Sequence, residues 1–189
     1  LIYKFNIIAV GHRVSDNGFF KDYNIPYYSV DIKDKMSFDK LPTDNIYAIV
    51  NLAGSVPARM KGYYPQDYID TILTGTLNIL EYAIRCNANR IIFSQSIADV
   101  AYLCNKPDSI IPSDVNNSFP HNDDHSVYSI CKTAAVNLIE HYYYKFGIKR
   151  FILRFPNIYL YHPNPMYYYD GVEKWQGYRL IIHNAINSE

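Results

Sequence analysis

A tyrosine and a lysine four residues apart, Tyr128 and Lys132, stand at the head of a predicted helix. Side chains four apart on a helix share one face, so we expect both to reach the same cleft. An upstream strand-like run ends in two serines, Ser94 and Ser96. A cationic amine beside a phenol favours the phenolate, which can exchange a proton with a substrate hydroxyl. With Ser96 orienting the same oxygen, these residue types predict a proton-relay site.

The spacing of Tyr128 and Lys132 is weak evidence by itself, because short motifs recur by chance. The chain contains 20 tyrosines, and a second pair with the same spacing is Tyr102 and Lys106. That pair lies in a segment flanked by proline and asparagine, without helical periodicity. Tyr128 instead begins a helical pattern and has Ser96 upstream. We therefore expect the Tyr128–Lys132 pair to be the functional one.

The composition indicates a single globular domain without a strong electrostatic field. The chain has 189 residues, 49% of them hydrophobic, and a formal net charge of zero, which is enough to bury a core. The charge balance argues against nucleic acid as a partner, and no apolar run reaches the roughly 20 residues that a membrane span needs. The three cysteines form no metal motif and are odd in number, which favours the reducing cytoplasm.

A second cluster of polar residues precedes Tyr128 and is the one candidate for metal ligands. It comprises His121, Asp123, Asp124 and His125. Histidine and aspartate do bind metals, but a solvated loop that caps the next helix is the better interpretation of this spacing. We therefore expect no metal site.

Apolar β-rich runs alternate with helical ones, which predicts an α/β fold with a doubly wound parallel sheet covered on both faces. The predicted strands are 5–10, 27–30, 48–52, 90–94 and 150–154. The predicted helices are 67–86, 128–146 and 179–185. Gly147 is expected to end the second of these helices, because glycine tolerates the left-handed backbone of a helix end.

Five segments, in order along the chain, resemble the extended short-chain dehydrogenase/reductase family, in its NAD-dependent epimerase/dehydratase branch that acts on nucleotide sugars. Residues 50–54 resemble H-L-A-A, residues 74–81 resemble G-T-x-N-L-L-E, and residues 94–102 resemble S-S-x-x-V-Y-G. Residues 126–132 resemble S-x-Y-x-x-S-K, and residues 154–159 resemble R-x-x-N-V-Y-G. The resemblance implies a Rossmann-like domain over 1–160 and the beginning of a small substrate-binding region over 161–189.

The resemblance assigns catalytic roles to the residues of the proton-relay site. Tyr128 is the implied acid and base. Lys132 is implied to bind the nicotinamide ribose and to tune Tyr128, and Ser96 to assist. Ser94 is the alternative to Ser96, because the segment before Tyr102 is longer than in the family pattern.

The resemblance also implies that residues at two strand ends hold NAD or NADP. Asp31 and Ile32, which follow the second predicted strand, are expected to meet the adenine. Leu52, Ala53 and Gly54, which follow the third, are expected to line the cofactor with their backbone.

Three further residues complete the implied site. Phe155 is expected to flank the nicotinamide, and Asn157 to face the phosphates of the substrate. Arg13 follows the first predicted strand, where a basic residue can hold the 2′-phosphate of NADP. Because Arg13 can equally be an ordinary surface residue, the choice between NAD and NADP stays open.

Two departures from the family pattern affect the expected function. No stretch of the chain supplies the G-x-x-G-x-x-G turn whose backbone N–H groups hold the pyrophosphate. Residues 5–10 match the second strand of the family, so we expect the first βα unit to be missing and the substrate domain to continue beyond this chain. Within the first long helix, Ile72 stands where the family has an asparagine. Further along the chain, Leu160 replaces the glycine that the family has after Tyr159.

The sequence thus predicts an NAD(P)-dependent epimerase or dehydratase of a nucleotide sugar. The resemblance further implies a homodimer formed through the two long helices. One alternative is an NAD(P)H reductase of a keto substrate. The other is a non-catalytic relative that serves as a binding scaffold, which the absent glycine turn and Ile72 favour.

Overall fold

The computed structural model describes residues 5–16, 18–57, 60–103, 115–122, 124–155, 166–169, 172–175 and 177–187. Within these residues the strands are β1 (Ala9–Gly11), β2 (Tyr27–Ser29), β3 (Ile49–Asn51), β4 (Arg90–Ser96), β5 (Lys149–Phe155), β6 (Met166–Tyr169) and β7 (Val172–Trp175). The α-helices are α1 (Pro65–Tyr68), α2 (Gly75–Arg85), α3 (Asp124–Phe146) and α4 (Gly177–Asn187).

The first five strands pair in parallel, as the alternation of strands and helices predicts. β1 pairs with β2, while β3, β4 and β5 form a three-stranded sheet with β4 at its centre. β6 and β7 pair as an antiparallel hairpin. A parallel pair cannot be closed by a tight turn, so each pairing requires a crossover such as the one through α2 or α3. The predicted α/β class is confirmed.

The helix predicted at 67–86 is interrupted by a π-helical segment, Ile69–Thr74, between α1 and α2. The helix begins with Pro65, whose missing N–H costs nothing in the first turn. At the end of the π-helical segment, the Gly75 N–H donates to the carbonyl of Asp70, five residues earlier. Such segments are rare and are frequently found at functional sites. The interruption therefore marks this helix as a candidate wall of the site.

The long helix α3 begins at Asp124, four residues before its predicted start. The Ser126 hydroxyl donates to the carbonyl of Pro120 at 2.8 Å, which ties the first turn of α3 to the preceding loop. The helix ends as predicted, because Gly147 has a φ of +74° and its N–H donates to the Tyr143 carbonyl at 2.9 Å. The earlier start places Tyr128 in the second turn of α3.

The two faces of the central sheet differ in burial. Ile91 and Phe93 of β4 are fully buried on the face that packs against α2 and α3, where Leu80 and Ile139 are fully buried too. The strand register places other residues on the opposite face. Four of these are exposed apolar side chains: Val50, Phe151, Leu153 and Phe155. Among the described residues, α2 and α3 thus cover one face of the sheet.

The carboxyl ends of β3, β4 and β5 lie at one edge of the sheet. Asn51 ends β3, while Ser96 and Phe155 end β4 and β5 and are paired in register. In open parallel sheets this edge forms the ligand crevice. The residues with expected chemistry are therefore collected at one edge.

We expect that Leu80→Ala in α2 lowers the free energy of unfolding by about 3 kcal/mol, because it leaves a cavity in the core. The matched control is Leu77→Ala on the same helix, where the leucine is 39% exposed. The control is expected to cost less than about 1 kcal/mol. Urea unfolding followed by circular dichroism measures both. Equal losses would show that α2 does not bury the face assigned to it.

Candidate active site

Ser96, Tyr128 and Lys132 meet where β4 ends against α3. Ser96 is the last residue of β4, and the other two lie one turn apart on α3. Tyr128 is 9% exposed and Lys132 is 4% exposed. The spacing of four residues places both side chains toward β4, as the helix predicts.

The Tyr128 phenol forms a hydrogen bond with the Ser96 side chain. Because Ser96 Oγ accepts a hydrogen bond from the Ala98 N–H at 3.1 Å, its own O–H remains to donate to the phenol oxygen. The ring of Tyr128 packs edge-on against Tyr68, with 6.0 Å between centroids. Burial raises the pKa of Tyr128, and the hydrogen bond from Ser96 opposes that rise.

The Lys132 amine reaches past Tyr128 to the backbone of β4. Its Nζ donates to the carbonyl of Ser94 at 2.6 Å and lies 4.7 Å from the centroid of the Phe93 ring. Burial lowers the pKa of Lys132 to about 8. The sequence predicts that Lys132 lowers the pKa of Tyr128. In the structure that pKa is raised instead, because burial of the phenol dominates.

The structure distinguishes the two serines at the end of β4. Ser96 contacts Tyr128, whereas the Ser94 hydroxyl donates to the carbonyl of Asn51 at 3.2 Å. Ser94 contributes its backbone carbonyl to Lys132 rather than its side chain to the phenol. The geometry therefore favours Ser96 over Ser94 as the hydroxyl of the site.

The segment after β2 is anchored to α2. A Cβ on Gly75 would lie 2.8 Å from Ile32 Cδ1, so the missing side chain of Gly75 makes room for Ile32. Asn78 Nδ2 donates to the Ile32 carbonyl at 2.8 Å. The neighbouring Asp31 carboxylate is exposed and accepts from the Lys33 N–H at 3.0 Å. This segment holds Asp31 beyond the end of β2, where its exposed carboxylate also lies 3.8 Å from the Lys33 ammonium.

The segment after β3 follows a tight path against the π-helical segment. Gly54 has a φ of +144°, and a Cβ there would lie 2.9 Å from Ile72 Cγ1. The preceding Leu52 and Ala53 are exposed. Asn51 Oδ1 accepts from the Ala53 N–H at 3.1 Å and so fixes the start of this path. Backbone at this strand end is accessible, and Gly54 could not be replaced without displacing Ile72.

The remaining predicted residues are placed unequally. Phe155 is paired in register with Ser96 and is 39% exposed at the same edge. Arg13 is exposed after β1, and its carbonyl accepts from the Tyr27 hydroxyl at 2.8 Å. Asn157 lies outside the described residues, as does Leu160.

Sequence reasoning missed a buried polar group next to Tyr128. Asp99 is 1% exposed, and both of its carboxylate oxygens lie 3.2 Å from Arg154 Nε. Burial raises the pKa of Asp99, and Arg154 opposes the rise. Gln95, 2% exposed, donates to the same carboxylate. The only sequence signal was a charged residue in an apolar run.

The arrangement can move a proton and hold an oxyanion. A phenol and a hydroxyl that share a hydrogen bond can take a proton from a bound hydroxyl or return it. The buried amine of Lys132 lies 5.8 Å from the centroid of the Tyr128 ring, where a protonated amine can stabilise negative charge on the phenol.

Solved structures with a fold similar to that of this chain are UDP-sugar epimerases. A UDP-glucose 4-epimerase from Thermotoga maritima, solved with UDP-glucose, superposes with a TM-score of 0.66 at 19% identity, over 86% of this chain and 51% of that chain. A UDP-glucose 4-epimerase from Thermus thermophilus in complex with NAD gives 0.60 at 18% identity, over 78% and 46%. A UDP-glucuronic acid 4-epimerase from Bacillus cereus in complex with NAD gives 0.58 at 15% identity, over 80% and 48%.

These structures share the predicted Rossmann-like fold with the chain, which spans about half of their length. No curated protein sequence matches the chain significantly. None of the helices in the described ranges combines the length and the apolar character needed to cross a bilayer.

The model of the NAD dependent epimerase/dehydratase family matches residues 3–172, which is most of the sequence. The chain therefore belongs to the NAD-dependent epimerase/dehydratase family.

Proposed function

We propose that the chain supplies the proton-transfer site of an NAD(P)-dependent epimerase or dehydratase that acts on a nucleotide sugar. The observation that carries this proposal is the hydrogen bond of Ser96 with Tyr128 beside the buried Lys132 amine. A buried amine is costly, and among the described ion pairs none neutralises it. Buried amines with a shifted pKa cluster at functional sites, where the reaction uses their charge or their proton. The family and the UDP-sugar epimerase fold support the substrate class.

In this proposal Tyr128 is the acid and base, and Ser96 binds the same sugar oxygen. Burial keeps the phenol protonated, so deprotonation depends on a positive charge close by. Lys132 supplies that charge from one turn away on α3. Ser96 stabilises the phenolate because its O–H donates to the phenol oxygen.

The strand ends fit a dinucleotide in part. The exposed backbone at Leu52 and Ala53 leaves a surface for the cofactor beside β3. Asp31 offers an exposed carboxylate to the adenosine end, and Arg13 a guanidinium to a 2′-phosphate. NAD or NADP, when bound, supplies the hydride acceptor beside the sugar carbon. The sequence holds no glycine-rich turn for the pyrophosphate.

The competing proposal is a non-catalytic relative that acts as a scaffold. Ile72 favours it, because this 1% exposed side chain puts an apolar group against Gly54 where the resemblance implies an asparagine. The polar contacts among Ser96, Tyr128 and Lys132 oppose it, since a scaffold has no need of a buried amine beside a phenol. A reductase of a keto substrate would use the same three residues.

We expect weak or no binding of NAD and NADP by the chain alone, because it lacks a turn for the pyrophosphate. Binding is expected when a βα unit carrying G-x-x-G-x-x-G precedes the chain. Titration followed by the fluorescence of Trp175 measures both forms. Failure of both forms to bind either cofactor would contradict the proposed enzyme.

Arg13→Ala is expected to weaken NADP binding and to leave NAD binding unchanged.

We expect that Tyr128→Phe lowers kcat by at least about a hundredfold, because the acid and base is lost. Conversion of UDP-glucose and of UDP-N-acetylglucosamine, followed by NMR, measures this loss in a completed form of the chain that carries both the βα unit and the remainder of the substrate domain. Cofactor affinity is expected to stay unchanged. Tyr144→Phe is the control, because this tyrosine lies on the same helix and is 80% exposed. Full activity in Tyr128→Phe would refute the assignment.

Lys132 is expected to make stability depend on pH in a defined window. Burial lowers its pKa from 10.5 to about 8, so between these values the unfolded chain binds a proton that the folded chain does not. Wild-type stability from this group therefore rises with pH across the window. Lys132→Met therefore has an advantage over wild type in the free energy of unfolding, and this advantage is expected to be largest below pH 8.

That advantage of Lys132→Met is expected to shrink by up to about 3 kcal/mol toward pH 10.5. Urea unfolding of both proteins at several pH values measures it, and taking the difference cancels the tyrosines and cysteines that titrate in the same range. Lys145→Met, at an exposed lysine of the same helix, is the control and is expected to give a constant difference. A constant difference for Lys132→Met would show that its amine is not buried.

A further inference from the structure

A buried carboxylate that the proposed proton transfer does not use lies beside Tyr128. Asp99 belongs to the 3₁₀-helical segment Ile97–Leu103, which follows β4. It is held between Arg154 of β5 and Gln95 of β4, whose Nε2 donates to it at 3.4 Å. The negative charge of Asp99 acts on the Tyr128 phenol and disfavours its ionisation.

The carboxylate determines which way the Gln95 amide faces. An ionised carboxylate only accepts hydrogen bonds, so it selects the NH₂ end of the amide. The opposite end, Oε1, then accepts from the Ser96 N–H at 2.9 Å. Gln95 is 2% exposed, so water does not compete for either end. The backbone of Ser96 is therefore held by a contact that Asp99 orients.

Arg154 is the residue that makes a buried carboxylate tolerable there. Gln95 and Arg154 are paired in register on β4 and β5, which puts both side chains on one face of the sheet. The Arg154 guanidinium contacts both oxygens of Asp99 and balances its charge. Without that balance, the charge of Asp99 would act on Tyr128 at full strength.

We propose that Asp99 and Arg154 are positioning residues for the Ser96–Tyr128 pair. They lock the Gln95 amide that holds Ser96, and they keep the charge beside the phenol balanced. This inference rests on the proposed role of Tyr128 as acid and base.

Other groups around Tyr128 set the background for any test of this role. Of the described groups, the phenol meets Tyr68 of α1, Ser96 of β4 and Lys132 of its own helix. Asp99 faces it from the segment after β4, and Arg154 of β5 acts on it through Asp99. Removing Asp99 or Arg154 changes the charge beside the phenol in opposite senses, which separates charge balance from a general loosening of the fold.

Titration of Tyr128 by NMR, with tyrosines labelled at ¹³Cζ and Tyr128→Phe used to assign the signal, tests the charge balance without any activity. Asp99→Asn is expected to lower the pKa of Tyr128, and Arg154→Met to raise it. Arg150→Met is the control, because it breaks the ion pair with Glu140 on the same strand, and is expected to leave the titration unchanged. Shifts of equal sign, or none, would overturn the proposal.

Enzyme kinetics of the completed form of the chain test whether Asp99 and Arg154 position Ser96. Asp99→Asn is expected to lower kcat about tenfold to a hundredfold, because Ser96 loses its fixed orientation, with little change in KM. Arg154→Lys is expected to recover part of the activity that Arg154→Met loses. An active wild type with unchanged kcat in Asp99→Asn would overturn the positioning role and leave the proposed function intact.

The wild type could prove inactive while Asp99→Asn lowers and Arg154→Met raises the pKa of Tyr128 as expected. That result would mean that the proposed function fails while Asp99 and Arg154 still control the phenol. Circular dichroism checks that each variant is folded. If Arg154→Met does not fold, Asp99→Asn carries the titration alone, because asparagine keeps the volume of aspartate. In that case an unchanged pKa of Tyr128 in Asp99→Asn would overturn the proposal.

Discussion

The hydrogen bond from the Lys132 amine to the Ser94 carbonyl is the contact on which the site depends. It joins α3 to the carboxyl end of β4, so it fixes the rotation of the helix about its axis. Tyr128, one turn earlier on the same face, is thereby placed over Ser96, two residues further along the strand. The amine gives up water for one carbonyl and the face of the Phe93 ring, and its lowered pKa records that loss. An apolar side chain at position 132 could not make this bond to the Ser94 carbonyl.

The alternation of β4 explains how one strand can serve the core and the site together. Ile91, Phe93 and Gln95 of β4 are buried, and the partly exposed Ser94 and Ser96 alternate with them. The strand ends at Ser96, and its last buried residue is Gln95, which is polar. That glutamine needs polar partners inside the protein, and Asp99 with Ser96 supplies them. The polar network is thus the continuation of the hydrophobic core at the edge where the strands end.

The sequence predicts the parts of this site that depend on local geometry. Tyr128 and Lys132 follow from the spacing of a helix, Ser96 from the end of a strand, and Gly147 from the backbone that ends α3. The contact of Asp99 with Arg154 could not be predicted, because it depends on the register of β4 against β5 and the two residues are 55 positions apart. The raised pKa of Tyr128 was missed for a related reason, since burial is a property of the packed chain. The interruption of the helix at Ile69–Thr74 has no signal in its apolar periodicity.

Two charged groups, Lys132 and Asp99, stand close to one phenol, and Arg154 is paired with Asp99, an arrangement that stability alone does not require. Replacing buried ionic groups by apolar ones of similar volume is often neutral or stabilising, and the same sheet packs Ile91 and Phe93 without difficulty. Ile72 shows that the chain does accept an apolar residue near this edge, where it fits against Gly54. The positions around Tyr128 carry charged residues all the same. A fold that needed only to be stable would have filled them as it filled position 72.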